Sequence, residues 1–273
     1  MYYKLLGLHT EPFSTSPDPR FFYRSQEHQT ALQRLEINIR LRRGMSLVYG
    51  DVGTGKTTLS RILMQEMAGD NEMLFFMILD PGFACEYDFV SRLSRMFGLR
   101  VDSASAIDHK DAIERYLFRQ GVEQGRTVVL VIDEGQKLID ENLELLRTLL
   151  NYETNEYKLL QLVLLAQMEL KPRIDRIHNF IDRIAFMSVL EGLDETDTAN
   201  LIRFRLEAAG YPGTRPLFTP EAIALIHGYT EGYPRKIAMF CHDVLQYAIG
   251  REKVQVEAAD ADAVAKQKGL LKK

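Results

Sequence analysis

Gly50-Asp51-Val52-Gly53-Thr54-Gly55-Lys56-Thr57 is the stretch on which the reading of this chain turns. It satisfies the pattern G-x-x-x-x-G-K-[ST], which carries meaning only between a strand and a helix. Both neighbours are legible. Met45 to Tyr49 is a short apolar run bounded by Gly44 and Gly50, and Leu59, Ile62, Leu63 and Met67 follow at helical spacing. Glycines let backbone NH groups turn inward toward a phosphate, and the N-terminus of the next helix adds a dipole that favours the anion. The reading places Gly50 through Thr58 around the phosphates of a nucleotide, with Lys56 reaching the β and γ phosphates and the Thr57 hydroxyl on Mg2+. The competing reading is a glycine-rich turn with an incidental lysine, which the matching context opposes.

The chain has 273 residues, 46% of them hydrophobic, enough to fill one large α/β domain and a smaller one. Its longest apolar runs, Leu74 to Leu79 and Leu162 to Ala166, fall far short of the roughly 18 residues a membrane helix needs. The start lacks a signal peptide's apolar region. The expectation is therefore a cytoplasmic protein without direct membrane insertion, peripheral to an inner membrane only through a partner. Cys85 and Cys241 stand apart, which suggests ordinary buried or semi-buried thiols rather than a disulfide framework or a zinc site. A net charge of -4 gives no global attraction to nucleic acid. Two local basic clusters, Arg34, Arg40, Arg42 and Arg43, and Lys266, Lys268, Lys272 and Lys273, are either solvated faces or contacts for DNA.

Residues 1–25 show no period and hold Pro12, Pro17 and Pro19 among Phe13, Phe21, Phe22 and Tyr23, which reads as an extended leader anchored by aromatics. Ser25 offers an N-cap to a helix carrying Leu32, Leu35 and Ile39 that ends by Gly44. After the phosphate loop, Met73 to Leu79 reads as a parallel strand buried on both faces. Helices follow through Phe89, Leu93 and Phe97 and over Ala112 to Val122.

Thr127 to Ile132 is the next buried strand, and Asp133-Glu134 stands at its end in the form of a Walker B element. Asp133 is expected to hold Mg2+ and Glu134 to orient or deprotonate the attacking water. A helix over Leu143 to Leu150 leads to a strand from Leu159 to Ala166, ending in Gln167, whose amide is suited to a γ phosphate or a nucleophilic water. Arg173, Arg176 and Arg183 precede a short strand, Ile184 to Val189, and arginine suits the charge of a transferring phosphoryl group. From Asp194 the strand signal stops. Thr196 to Ala209, Thr219 to His227, Pro234 to Ile249 and Glu257 to Lys268 read as four helices, with Val254 to Val256 a stub of strand. Arg235 opens the third of them and could reach the phosphates.

The order of phosphate loop, Asp-Glu strand end, polar strand end, arginine before the fifth strand and lid arginine resembles the AAA+ ATPases, near the origin-recognition initiators and clamp loaders. Glu11-Pro12-Phe13-Ser14, Pro17-Asp18-Pro19-Arg20-Phe21, Asp51-Val52-Gly53 and Gly232-Tyr233-Pro234-Arg235 are similar to the ATPase domain of the general secretion pathway protein A (ExeA) family, over essentially the whole chain. The resemblance implies an α/β P-loop fold with a parallel five-stranded sheet and a C-terminal helical lid, divided as leader 1–25, nucleotide-binding domain 26–192 and lid 193–273. It implies ATP and Mg2+ as cofactors, with Lys56 and Thr57 at phosphate and metal, Asp133 and Glu134 as Walker B, Gln167 as sensor 1, Arg183 as the arginine finger of a neighbouring protomer and Arg235 as sensor 2. Arg173 and Arg176 stand as alternatives to Arg183. Partners implied are further copies of the chain in a ring or filament and an envelope secretion or pilus assembly protein, as in the short, ATPase-only relatives. The alternative is double-stranded DNA with transposition proteins. Two departures stand out: Gly135 where the family usually has alanine in Asp-Glu-Ala-Gln, and Ala166-Gln167-Met168 where it has Gly-Gln-Pro.

Overall fold

The computed structural model describes residues 2–270 apart from 17, 103, 104, 178 and 214. Pro17 of the leader and Lys272 and Lys273 of the second basic cluster therefore lie outside the described residues. Contacts divide the chain into two compact units. One comprises Glu27–Asp51 and Leu59–Leu190, the other Met1–Gln26, Val52–Thr58 and Glu191–Lys273.

The first unit is built on five parallel strands, β1 Met45–Gly50, β2 Met73–Ile78, β3 Thr127–Ile132, β4 Leu160–Ala166 and β5 Ile184–Leu190, in the spatial order β2-β3-β4-β1-β5. The three inner strands are buried at every position, which is why they read as largely apolar runs. Gln161 breaks the run in β4 at little cost. Its amide accepts from Gly44 N–H at 2.8 Å and donates to the Lys158 carbonyl at 2.8 Å, so the buried polar group is satisfied. Glu86–Met96, Ala106–Phe118 and Asp140–Leu149 are helices that turn Phe89, Leu93, Ile113, Leu117, Leu143 and Leu146 into the sheet's core. Ser105 caps the second of these by accepting from Ile107 N–H at 3.2 Å. This helix starts six residues before the position expected from sequence, and its end passes into a π-helical turn, Arg119–Glu123.

One strand departs from expectation. β2 is not buried on both faces. It lies at the sheet edge with β3 as its single neighbour, and Met73 to Met77 are only partly covered. Its apolar content fits a central strand, but its place in the sheet decides its burial. β5, at the other edge, alternates between half-buried and exposed residues, the signature of one covered face.

The second unit has its own core. Helices Glu195–Ala208, Pro220–Thr230, Pro234–Ile249 and Ala258–Gln267 reproduce the four expected from sequence, and Phe218 and Val256 form the parallel bridge that the strand stub suggested. Asp194 and Thr219 cap the first two through bonds from Asp197 N–H at 2.6 Å and Ala222 N–H at 3.2 Å. The leader belongs to this core. Leu8, Phe13 and Phe21 are buried with Leu201, Phe218 and Cys241, and Phe13 meets Phe218 edge-on at 6.0 Å. Arg205 Nη1 donates to the Ser14 carbonyl at 2.9 Å and Tyr23 Oη to Asp197 at 2.7 Å. The leader is mostly irregular, as read from sequence, but it contains a helical turn at Tyr2–Leu5 and a 3-10 turn at Pro19–Phe21 that the absence of a period concealed.

Candidate functional site

In the sheet unit, three chain segments leave the same end of the sheet. Register pairs Tyr49 with Ala166 and Ile132 with Leu164, so Gly50, Asp133 and Gln167 follow neighbouring strand ends β1, β3 and β4. A chain that runs β2-β3-β4-β1-β5 reverses its direction of winding beside β1, where open α/β sheets bind ligands. Asp133 is buried. Its N–H donates to the Ile78 carbonyl at 2.8 Å and its carboxylate accepts from Glu134 N–H at 2.9 Å.

Glu134 stands at φ 53, in the left-handed region that non-glycine residues seldom occupy. Backbone strain of this kind collects at functional sites. Its Oε2 accepts from the Gln136 amide at 2.6 Å and lies 3.5 Å from Nε2 of Gln167, while Gln167 N–H donates to Gln136 Oε1 at 3.0 Å. Asp133, Glu134 and Gln167 are thus brought together, joined by Gln136, to which sequence reasoning gave no role. Its signal was its place in Asp133-Glu134-Gly135-Gln136, quoted only for the glycine. Tyr49, next to last in β1, lies in the sheet's core, where burial, with the Asp175 charge adding to it, pushes its hydroxyl up to about 12.

In the other unit, Lys56 opens the helix Lys56–Met67, with Lys56 and Thr54 buried and Thr57 and Thr58 half-buried. Gly53 and Gly55 take φ of 91 and 102, the left-handed conformations for which the loop's glycines are suited. Arg235 lies beside this loop. Its N–H donates to the Gly53 carbonyl at 3.2 Å, and a Cβ on Gly53 would stand 2.7 Å from that of Arg235. The approach depends on a corner of glycines: a Cβ on Gly232 would fall 1.9 Å from the Leu193 carbonyl oxygen, and one on Gly192 2.3 Å from that of Glu231.

The arginines separate. Arg173 is committed to its own subunit, donating to the Gln136 carbonyl at 3.0 Å, to the Leu138 carbonyl and to Asp140 at 2.7 Å. Arg176 is exposed. Arg183 closes the 3-10 turn Ile181–Arg183 before β5, half-buried, and its Nε finds no hydrogen-bond partner among the described residues. The basic clusters are largely engaged within the chain. Arg40 pairs with Glu36 and Asp70, Lys266 with Asp262 and Lys268 with Asp243. Arg42 donates to Thr127 Oγ1 at 2.9 Å and to the Gly121 and Gly125 carbonyls, with its guanidinium 4.6 Å from the centre of the Tyr157 ring. Cys241 is buried, whereas Cys85 is exposed, correcting the expectation that both thiols are covered. The reason is its place at the N-cap of Glu86–Met96, outside that helix's apolar face.

Among the described residues, no group of three or more His, Cys, Asp or Glu could hold a metal ion, and no helix is long and apolar enough to cross a membrane. Comparison with known proteins agrees with the fold. An AAA domain family profile matches residues 39–174. The match and the parallel five-stranded sheet give the chain the fold of the P-loop AAA+ proteins. Within that class it is similar to General secretion pathway protein A of Aeromonas hydrophila, 34% identical over 97% of this chain and 48% of that protein. The chain thus spans about half the length of this curated relative. Among solved structures, Drosophila ORC bound to DNA superposes with a TM-score of 0.70 at 20% identity, covering 97% of this chain and 65% of that one. The Aeropyrum pernix ORC2 protein in its ADPNP-ADP complexes gives 0.64 at 16%, covering 94% and 71%. At such identity the likeness is one of fold.

Proposed function

We propose that the chain is a Mg2+-dependent ATPase that works as a homo-oligomeric switch. The observation that carries this reading is the hydrogen-bonded set Asp133, Glu134, Gln136 and Gln167 at the sheet end from which the phosphate-loop sequence departs. The loop glycines and the helix N-terminus at Lys56 bind the phosphates, and Lys56 offsets their charge. Mg2+ prefers oxygen ligands and keeps several waters, so one carboxylate, Asp133, with the Thr57 hydroxyl and the phosphates suffices without a protein cage. The metal supplies neutralisation of charge on the transferring group. Glu134 orients and deprotonates the attacking water, Gln167 helps to place it, Arg235 steadies the phosphates, and Arg183 of a neighbouring protomer supplies positive charge.

Replacing Glu134 by Gln should leave ATP binding intact and lower hydrolysis by about 10²–10⁴-fold, the span of general base catalysis. Unchanged turnover would remove Glu134 from this role. For the pathway, similarity to General secretion pathway protein A supports a role in secretion, and we propose that the chain assists assembly of an envelope secretion or pilus machine through a membrane partner. Duplex DNA finds less support. Arg42 is fixed within the fold, and Arg40, Lys266 and Lys268 are paired with carboxylates of the chain itself.

A further inference from the structure

The turn after β3 is held more tightly than a link between a strand and a helix requires. Gly135 runs so close to β4 that a Cβ there would lie 2.6 Å from Leu164 Cδ1 and 3.2 Å from the Leu165 carbonyl oxygen. This approach sets the Gln136 side chain between Glu134 and Gln167. Its orientation is fixed by chemistry. Gln167 N–H can only donate, so the atom 3.0 Å away must be the amide oxygen, and the amide NH2 is thereby turned to Glu134 Oε2 at 2.6 Å. From the other side, Arg173 grips the main-chain carbonyls of Gln136 and Leu138 and is itself held by Asp140.

We infer that Gln136 is a positioning residue for Glu134, with Arg173 bracing it from within the same subunit. This deepens the proposed ATPase and rests on it. The amide occupies Oε2 and fixes the plane of the carboxylate, leaving Oε1 as the oxygen that receives the proton of the attacking water. Because Gln136 also holds the backbone of Gln167, the two groups that face the water move as one. Arg173 accordingly does not serve as a charge donated to a neighbouring protomer; its guanidinium is spent on this turn.

The test uses the full chain with Gln136→Met, which keeps the volume and removes both amide bonds, and Gln136→Ala beside it. Both should lower kcat by about 10–100-fold, the scale of a misplaced catalytic group, with KM for ATP unchanged. In a Glu134→Gln background the same changes should add nothing, since the group being positioned is gone. Hydrolysis by Gln136→Met within twofold of the parent overturns the inference while leaving the ATPase standing. An equal loss in the Glu134→Gln background, or lowered thermal stability with kcat unmoved, also overturns it by reducing Gln136 to a structural tie. A parent chain that binds ATP but never hydrolyses it overturns the proposed function, and this inference with it.

Discussion

Gly135 in the sheet unit and Gly232 in the helical unit both press against a neighbouring stretch of chain, but they press against different things. Beside Gly135 is the end of a leucine side chain, Leu164, 2.6 Å from where a Cβ would be. Beside Gly232 is the backbone oxygen of Leu193, at 1.9 Å, and Gly232 also stands at φ 73. A side-chain methyl can swing aside, whereas the Leu193 carbonyl belongs to backbone pinned beside Gly232 by the bond from Leu193 N–H to the Gly232 carbonyl at 2.8 Å. The sheet unit therefore carries its proposed chemistry beside a turn whose nearest neighbour is a side chain, and the helical unit positions Arg235 through backbone packed directly on backbone.

Three measurements would sharpen or break that contrast. The largest effect belongs to Gly232→Ala. Left-handed backbone costs an alanine about 1–2 kcal/mol, and overpacking adds about 1–3 kcal/mol. Together these should lower the melting temperature by about 10 °C at about 3 kcal/mol or more. A melting temperature equal to the parent's would show that the corner can open freely. Gly135→Ala comes next, at about 1 kcal/mol, read as a shift of the urea midpoint without a change of slope. If it costs as much as Gly232→Ala, the distinction between side chain and backbone neighbours fails. The smallest effect leaves stability untouched. Cys85 is exposed and should react with a thiol reagent in the native state, whereas Cys241 should react only on unfolding, since burial pushes its thiol well up and keeps it protonated at neutral pH. Native labelling of Cys241 would mean that the helical core opens locally.

Much of the fold was legible because it follows from local pattern. The inner strands β1, β3 and β4 are continuous apolar runs, and the four C-terminal helices have caps and breakers where the structure has ends. What was hidden depends on spatial order. Met73 to Met77 have the composition of a central strand, and nothing local says that β2 is last in the sheet. Cys85 lies next to a helix without sharing its buried face, and Arg42 looks like one more basic residue until Gly121, Gly125 and Thr127 are seen to receive it. At the candidate site, Asp133, Glu134 and Gln167 stand at strand ends that the sequence marks, whereas the place of Gln136 was hidden, because its partner lies 31 positions away, just past the end of β4.

The leader's place in the helical core bears on the order in which the protein is made. Phe13 and Phe21 leave the ribosome well before the surfaces they pack on: Tyr23 waits for a partner 174 residues downstream, and the Ser14 carbonyl for one 191 residues downstream. Domains generally fold as they emerge, so the whole sheet can be complete while these aromatics still have no core to enter. A segment translated ahead of the sheet is thus buried after it. Closing that very long loop late is entropically cheap for its length but slow, and until it closes the nascent chain carries an exposed aromatic end for chaperones to hold.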